Sequence, residues 1–153
     1  MDMKNTDVAI KKTPEPSRGL IFAPDGHGGA MLVGMGECTD EVLVIPSRTP
    51  DGLRVTSVCD AALMRNARIT RIMIPKSIKS IGKYAFAWCS NLQAVTIPSS
   101  VSEIGDRAFT GCERLTRLCL RDGIRRIGKT LSAYFLTEQA AFFILITHYK
   151  KHG

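Results

Sequence analysis

The sequence predicts a solenoid, a fold in which similar coils of chain stack on one another and share one continuous core. Three observations predict this fold: a repeat of 23 residues, a short apolar segment with strand-like alternation in each repeat, and an apolar register that continues beyond the best-matched copies. A repeat of this length cannot bury its apolar face alone, so neighbouring copies must cover one another. The 153 residues are enough for one domain with a core.

Residues 70–92 and 93–115 are the best-matched copies, and they align without a gap. Nine of the 23 aligned positions are identical, far more than unrelated segments would share. The identical pairs are Ile74/Ile97, Pro75/Pro98, Ser77/Ser100, Ile81/Ile104, Gly82/Gly105, Ala85/Ala108, Phe86/Phe109, Cys89/Cys112 and Leu92/Leu115.

The register continues on both sides of these copies. A first repeat begins at 43-LVIP-46 and carries about six extra residues around 47–53, where Pro50, Asp51 and Gly52 indicate a turn. A third set of positions continues downstream and loses the pattern after Gly128. The residues in register are Val55, Val58, Ala62, Leu63 and Ile69 upstream, and Leu118, Leu120, Ile124, Ile127 and Gly128 downstream.

Each part of the repeat has a physical role. The segment I-x-I-P predicts a short strand with two side chains on one face, followed by a proline where a missing N–H does least harm. Glycine at 82, 105 and 128 suits a tight bend, and the Ala-Phe pair supplies one small and one large core residue. The inward strand positions are Ile72, Ile74, Val95, Ile97, Leu118 and Leu120.

The full pattern I-x-I-P-x-S-[IV]-x-x-I-G-x-x-A-F-x-x-C-x-x-L resembles the BspA-type (treponemal-type) leucine-rich repeats. The lead-in is similar too, with 19-GLIFAPDGHGGAMLVGMGE-37 followed by 41-EVLVIPSRTPDGLRVTSV-58. The resemblance covers about residues 19–128. It implies a right-handed leucine-rich-repeat solenoid with one short strand per repeat and an N-terminal β-hairpin cap. It also implies adhesion or protein binding, usually outside the cell, with no catalysis by the repeats.

The domain organisation follows from these patterns. We expect a disordered tail over 1–18, a leucine-rich-repeat domain over 19–130 with a hairpin cap over 19–41, and a helical cap or tail over 131–153. The glycines in 26-GHGG-29 predict the hairpin tip. Contact of 131–149 with a partner or a membrane surface is an alternative to capping, and a truncated or frameshifted gene is another.

Composition limits the function classes. The net charge of +7 favours acidic partners, but a solvated basic surface explains it as well, and nucleic acid is not expected. No cysteine pair has CxxC spacing and the histidines do not cluster with carboxylates, so we expect no metal, no cofactor and no enzyme. Cys89 and Cys112 are expected to stack as buried thiols, although a disulfide between adjacent coils is geometrically conceivable.

The N-terminus lacks the apolar segment of a secretion signal. This N-terminus favours a cytoplasmic location, whereas the resemblance favours display at the cell surface. A fragment of a larger adhesin-like surface protein is therefore an alternative to a separate binding module.

Gly123–Thr130 reads G-I-R-R-I-G-K-T and matches the phosphate-binding P-loop pattern at every specified position. The repeat explains the same residues differently, because Gly128 is equivalent to Gly82 and Gly105, and Ile124 and Ile127 fall on core positions. A nucleotide-binding function is therefore only a distant alternative.

The outward strand positions are the candidate binding site, because solenoids use stacked strand faces as extended binding surfaces. They are expected to form two adjacent rows that bind a protein ligand. One row is Val44, Met73, Thr96 and Cys119, and the other is Arg71, Ala94 and Arg117.

Overall fold

The structure, a computed structural model, describes residues 14–129 and the two-residue strand Leu145–Ile146. These residues form short strands in two sheets and contain no helix, so none of them lies in a helix able to span a membrane. The strands are β1 (Ile21–Pro24), β2 (Ala30–Gly34), β3 (Val42–Val44), β4 (Val55–Val58), β5 (Arg71–Met73), β6 (Ser80–Ile81), β7 (Ala94–Ile97), β8 (Glu103–Ile104), β9 (Arg117–Leu120), β10 (Arg126–Ile127) and β11 (Leu145–Ile146).

The predicted N-terminal hairpin is confirmed. Strands β1 and β2 pair antiparallel, and β2 then pairs parallel with β4, so the hairpin continues the sheet of the coils. The carboxylate of Asp25 organises the tip, since it accepts hydrogen bonds from the N–H groups of His27 and Gly29 and from the hydroxyl of Thr56. These bonds lower the pKa of Asp25, the bond from Thr56 most strongly, and they hold the tip against the first coil.

The stacked coils make two parallel sheets, in the orders β1-β2-β4-β6-β8-β10 and β11-β9-β7-β5-β3. Consecutive coils pair with an offset of 23 residues, as Arg71 with Ala94 and Ala94 with Arg117. The pairing of Val42 with Arg71 has an offset of 29, which matches the six extra residues predicted in the first repeat. That insert folds as a turn closed by a hydrogen bond from Gly52 N–H to Thr49 O.

Each coil contains a second strand in addition to the one that the sequence predicts. Strands β6, β8 and β10 have only two residues each, of which one points inward, as Ile81 and Ile104 do. Two residues are too few to display an alternating pattern, and for this reason the sequence analysis did not find them.

The third side of each coil is a turn in which residues with positive φ recur every 23 positions. Ala61, Tyr84 and Arg107 have φ values of 54° to 56° and form one row along the solenoid. Their N–H groups point along the solenoid axis and donate to carbonyl groups of the next coil, as Tyr84 does to Asp106 at 3.0 Å. The left-handed conformation is unfavourable for residues with a side chain, and the coil-to-coil hydrogen bonds compensate for it.

The core confirms five of the six predicted inward positions; the sixth, Ile74, follows the end of β5, is half-buried and lines a surface groove. The strand residues Ile72, Val95 and Leu118 are buried in successive coils, and the rings of Phe86 and Phe109 stack at a centroid distance of 5.1 Å. Ile124 and Ile127, which belong to the last coil of the described range, are half-buried. Every apolar position assigned to the first repeat is buried: Val55, Val58, Ala62, Leu63 and Ile69.

The described residues include parts of the two predicted terminal segments. The structure includes residues 14–18 of the predicted tail, and Ser17 is buried because its N–H binds Val44 O and its hydroxyl accepts the N–H of Val44. Residues 1–13 lie outside the described range. So does the predicted helical segment 131–153, except that Leu145–Ile146 form a strand that pairs parallel with β9.

The repeated glycine is required by close packing between coils. A Cβ added to Gly82 would lie 2.5 Å from the backbone nitrogen of Asp60, and one on Gly105 would lie 2.5 Å from that of Lys83. No side chain fits at such a distance from rigid backbone. The close approach of the preceding coil therefore explains the glycine, which lies between a short strand and the turn that follows it.

Replacing Gly105 with alanine should destabilise the fold by roughly 1–3 kcal/mol, because the added methyl group forces two coils apart. The matched control is Gly34→Ala, where the nearest atom would lie 3.8 Å away and the stability should change by less than about 0.5 kcal/mol. Urea unfolding of both variants measures the difference. Equal stabilities would contradict the packing explanation.

The predicted cysteine pair consists of free, buried thiols. Cys89 Sγ donates to Leu63 O at 3.1 Å, and Cys112 Sγ makes the same contact with Phe86 O at 3.1 Å. Burial raises the pKa of Cys89 from 9.0 to about 11 and, together with the neighbouring thiol, that of Cys112 from 9.0 to about 12. The two thiols therefore act as small core residues that also satisfy a carbonyl of the preceding coil.

In the native protein at pH 8, iodoacetamide should alkylate the half-exposed Cys59 and Cys119, and should modify Cys89 and Cys112 at least about 100-fold more slowly. Mass spectrometry of the peptides measures the four rates, and alkylation in urea supplies the unfolded control. Rapid labelling of Cys89 in the folded state, or a disulfide-linked peptide, would contradict the buried-thiol assignment.

The raised pKa values also predict a loss of stability in alkali. The thiols stabilise the fold fully below pH 9, and this contribution is lost as the pH rises through about 11 to 12. A Cys89→Ser/Cys112→Ser variant lacks both buried thiols, so folding no longer raises a thiol pKa at these positions. Its free energy of unfolding should therefore depend less steeply on pH above 9 than that of the unaltered protein.

Candidate functional site

The seven predicted site residues lie in two rows on the exposed face of the sheet that contains β3, β5, β7 and β9. Arg71, Ala94 and Arg117 are direct register partners in one row. Val44, Met73, Thr96 and Cys119 are partners in the other row. The rows stand side by side because alternate residues of a strand point to the same face.

The exposure of these side chains varies along each row. Arg71, Thr96 and Arg117 are exposed, and 40% of Met73 is accessible to solvent. Val44, Ala94 and Cys119 are half-buried. In the first row a small residue therefore stands between two long ones, which leaves a depression above the middle strand β7.

This depression is a groove of about 680 Å³, which we call the strand-face groove. Five of the seven predicted residues line it: Arg71, Met73, Ala94, Thr96 and Arg117. Val44 and Cys119 lie in the same row as Met73 and Thr96 but do not line the groove.

Sequence reasoning missed part of the lining. Lys76, Ser99 and Arg121 extend the groove beyond the ends of the strands. The alternation of a strand could not predict their direction, because the chain has left the extended conformation at these positions. The available signal was the 23-residue register itself, which places Lys76 beside Ser99 and Pro98 beside Arg121.

The groove is strongly basic. Its lining contains four cations, Arg71, Lys76, Arg117 and Arg121, and no aspartate or glutamate. Within the described residues, none of the four forms an ion pair; the pair found there joins Arg126 to Glu103 at 3.7 Å on the other sheet. A positive field without internal compensation favours a negatively charged ligand.

A second exposed feature, which the sequence analysis missed, is an aromatic–arginine cluster on the turn side. Trp88 is 43% exposed and stacks with Tyr84 at a centroid distance of 6.0 Å. Arg65 lies over the Trp88 ring at 5.5 Å, and Arg107 donates to the Tyr84 hydroxyl at 3.0 Å. These side chains contact one another across adjacent coils.

The P-loop pattern Gly123–Thr130 does not form a phosphate cradle in its described part; its last residue lies outside the described range. The N–H of Gly128 donates to Ile104 O at 2.7 Å, as the solenoid ladder requires. The N–H of Lys129 donates to the Asp106 carboxylate at 2.7 Å. An acidic side chain thus occupies the position that a phosphate would need, and it would repel one.

Among residues 14–129, no three histidine, cysteine, aspartate or glutamate side chains are close enough to hold a metal ion. The lining of the strand-face groove offers charge, hydrogen-bonding groups and shape to a ligand.

Comparisons with solved structures agree with the fold. The chain is similar to a leucine-rich repeat protein of T. pallidum (TM-score 0.64, 21% identity, 74% of this chain and 64% of that one). It is also similar to leucine-rich repeat proteins of Bacteroides ovatus (0.64, 28%, 76% and 31%) and Bacteroides capillosus (0.66, 25%, 73% and 85%). The chain thus spans less than two thirds of the first two proteins.

Sequence comparison gives a family. No curated protein matches the chain significantly. Residues 56–139, more than half of the chain, match the BspA type leucine-rich repeat region, and the match covers both full repeats and the residues that line the strand-face groove. The chain therefore belongs to the BspA-type leucine-rich repeat family.

Proposed function

We propose that the protein is a non-enzymatic protein-binding module and that its ligand binds in the strand-face groove. The observation that carries the proposal is the coincidence of the groove with the two outward rows of the sheet that contains β5, β7 and β9. Leucine-rich repeats generally serve protein–protein interaction, so family membership supports the same function.

In the coils that form the groove, the other sheet is less suited to binding. Its strands β6, β8 and β10 have two residues each and expose one row of side chains, which includes Ser80, Glu103 and Arg126. The strand-face groove has two rows and a concave shape, and a concave site buries more of a ligand than a flat surface does.

Site-specific crosslinking tests which face is used. Binders are first selected from a displayed library of natural protein fragments. The photo-crosslinking residue benzoylphenylalanine is then placed at Thr96 in β7 or, as the matched control in the same coil, at Glu103 in β8. Independent binders should crosslink from position 96 and only weakly from position 103, because the groove is the concave surface.

The affinity of the same binders gives a second measurement. A Met73→Asp/Thr96→Trp variant should weaken binding at least about ten-fold, because tryptophan fills the groove and aspartate adds a negative charge to it. Glu103→Ala should change the affinity by less than about two-fold. Stronger crosslinking from position 103, or equal effects of the two variants, would overturn the assignment of the binding face.

A further inference from the structure

We propose that the strand-face groove takes an extended acidic peptide segment that carries carboxylates four residues apart and an apolar side chain midway between them. The inference rests on the proposed protein-binding function and adds the chemistry of the ligand. The distribution of charge around the groove leads to it.

The four cations form two pairs. In each pair, one cation lies on either side of the middle coil, which contributes only neutral residues to the groove. Arg71 and Arg117 lie two strands apart in one row, with Ala94 between them. At about 4.8 Å per strand their Cα atoms are about 10 Å apart. Two guanidinium groups can converge on one carboxylate across this gap, because the methyl group of Ala94 leaves the space between them open.

The second pair lies at the other end of the groove. Lys76 and Arg121 flank Pro98 and Ser99, which carry no charge. Asp122 shares a register position with Lys76 and Ser99 but does not line the groove. The same arrangement of two cations beside a neutral residue therefore occurs at both ends.

The distance between the pairs sets the spacing of the ligand's charges. From Ala94 to Pro98 the chain advances four residues, or about 13 Å at 3.3 Å per residue. An extended peptide has the same rise, so residues i and i+4 reach the two pairs. These residues point to the same face of the peptide, as does residue i+2 between them.

The middle of the groove accepts an uncharged side chain. Residue i+2 would lie over Thr96, beside Met73, which is 40% exposed. Methionine adapts its shape to apolar partners, and the hydroxyl of Thr96 can bind the peptide backbone. A small or medium apolar residue fits best at this position.

The lining favours a peptide over a nucleic acid. Single-stranded nucleic acids bind grooves in which aromatic side chains stack on the bases, and none of the residues that line this groove is aromatic. The described aromatic–arginine cluster of Tyr84 and Trp88 is likewise outside the groove.

A peptide panel tests the inference. A fluorescein-labelled peptide with the core Glu-Ser-Leu-Ser-Glu is compared by anisotropy with its Gln-Ser-Leu-Ser-Gln analogue and with an isomer whose two glutamates are adjacent. The first peptide should bind at least about ten-fold more tightly than either of the others, because only it reaches both cation pairs. Its affinity should fall as salt is raised from about 0.05 M to 0.3 M.

Variants locate the site. Arg71→Ala/Arg117→Ala and Lys76→Ala/Arg121→Ala should each weaken binding of the acidic peptide at least about ten-fold. The matched control is Arg68→Ala/Arg114→Ala, which removes two exposed arginines from outside the groove with the same 46-residue separation as Arg71 and Arg117. It should change the affinity less than about two-fold, and all three variants should unfold at the temperature of the unaltered protein.

Several results would overturn the inference: equal binding of the glutamate and glutamine peptides, an equal loss in the control variant, or tighter groove-dependent binding of single-stranded oligothymidine. If selected binders crosslink from position 96 but show no preference for acidic segments, the ligand chemistry is wrong and the binding face stands. If crosslinking from position 96 is also absent, the proposed function fails as well.

Discussion

The hydrogen bonding of each coil to the next is the constraint on which the rest of the structure depends. Gly82 N–H binds Val58 O and Gly105 N–H binds Ile81 O, both at 2.8 Å, so equivalent groups repeat the same bond one coil later. Such a ladder closes only if the paired residues of each coil adopt the same backbone conformation, so the six extra residues of the first coil must leave the ladder as a turn. The recurring glycine and the row of residues with positive φ both follow from this requirement.

The P-loop resemblance is a by-product of the same constraint. Glycine is required at the bend by the close approach of the previous coil, and the next residue is exposed, where lysine is common. Its N–H still needs an acceptor, and an aspartate of the previous coil supplies one: Asp60 to Lys83 at 2.8 Å and Asp106 to Lys129 at 2.7 Å. The sequence Gly-Lys therefore recurs in this solenoid without a phosphate to bind.

Much of the fold could be predicted because the 23-residue repeat reveals in the sequence which residues are equivalent in successive coils. The inward positions and the six-residue insert follow from comparing the chain with itself, whereas the hairpin follows from the glycines in 26-GHGG-29 and from the family resemblance. The left-handed residues could not be predicted, because Tyr84 and Trp88 have no intrinsic preference for positive φ and adopt it for the ladder. The groove was only half predicted, since Lys76 and Arg121 lie past the strand ends, where alternation gives no direction.

The same constraint leaves the outward strand positions free to vary, which suits the recognition role proposed for them. On the turn side, a substitution must be compatible with a left-handed backbone, as at Arg107. It must also preserve the packing of Trp88 against Gly111. On the strand face, Ala94 and Thr96 need only an extended backbone, which most side chains adopt. Their small size between Arg71, Met73 and Arg117 turns a sheet surface into a groove. Larger residues at 94 and 96 would preserve the fold and remove the groove, so the shape of the site depends on the side chains that the ladder leaves free to vary.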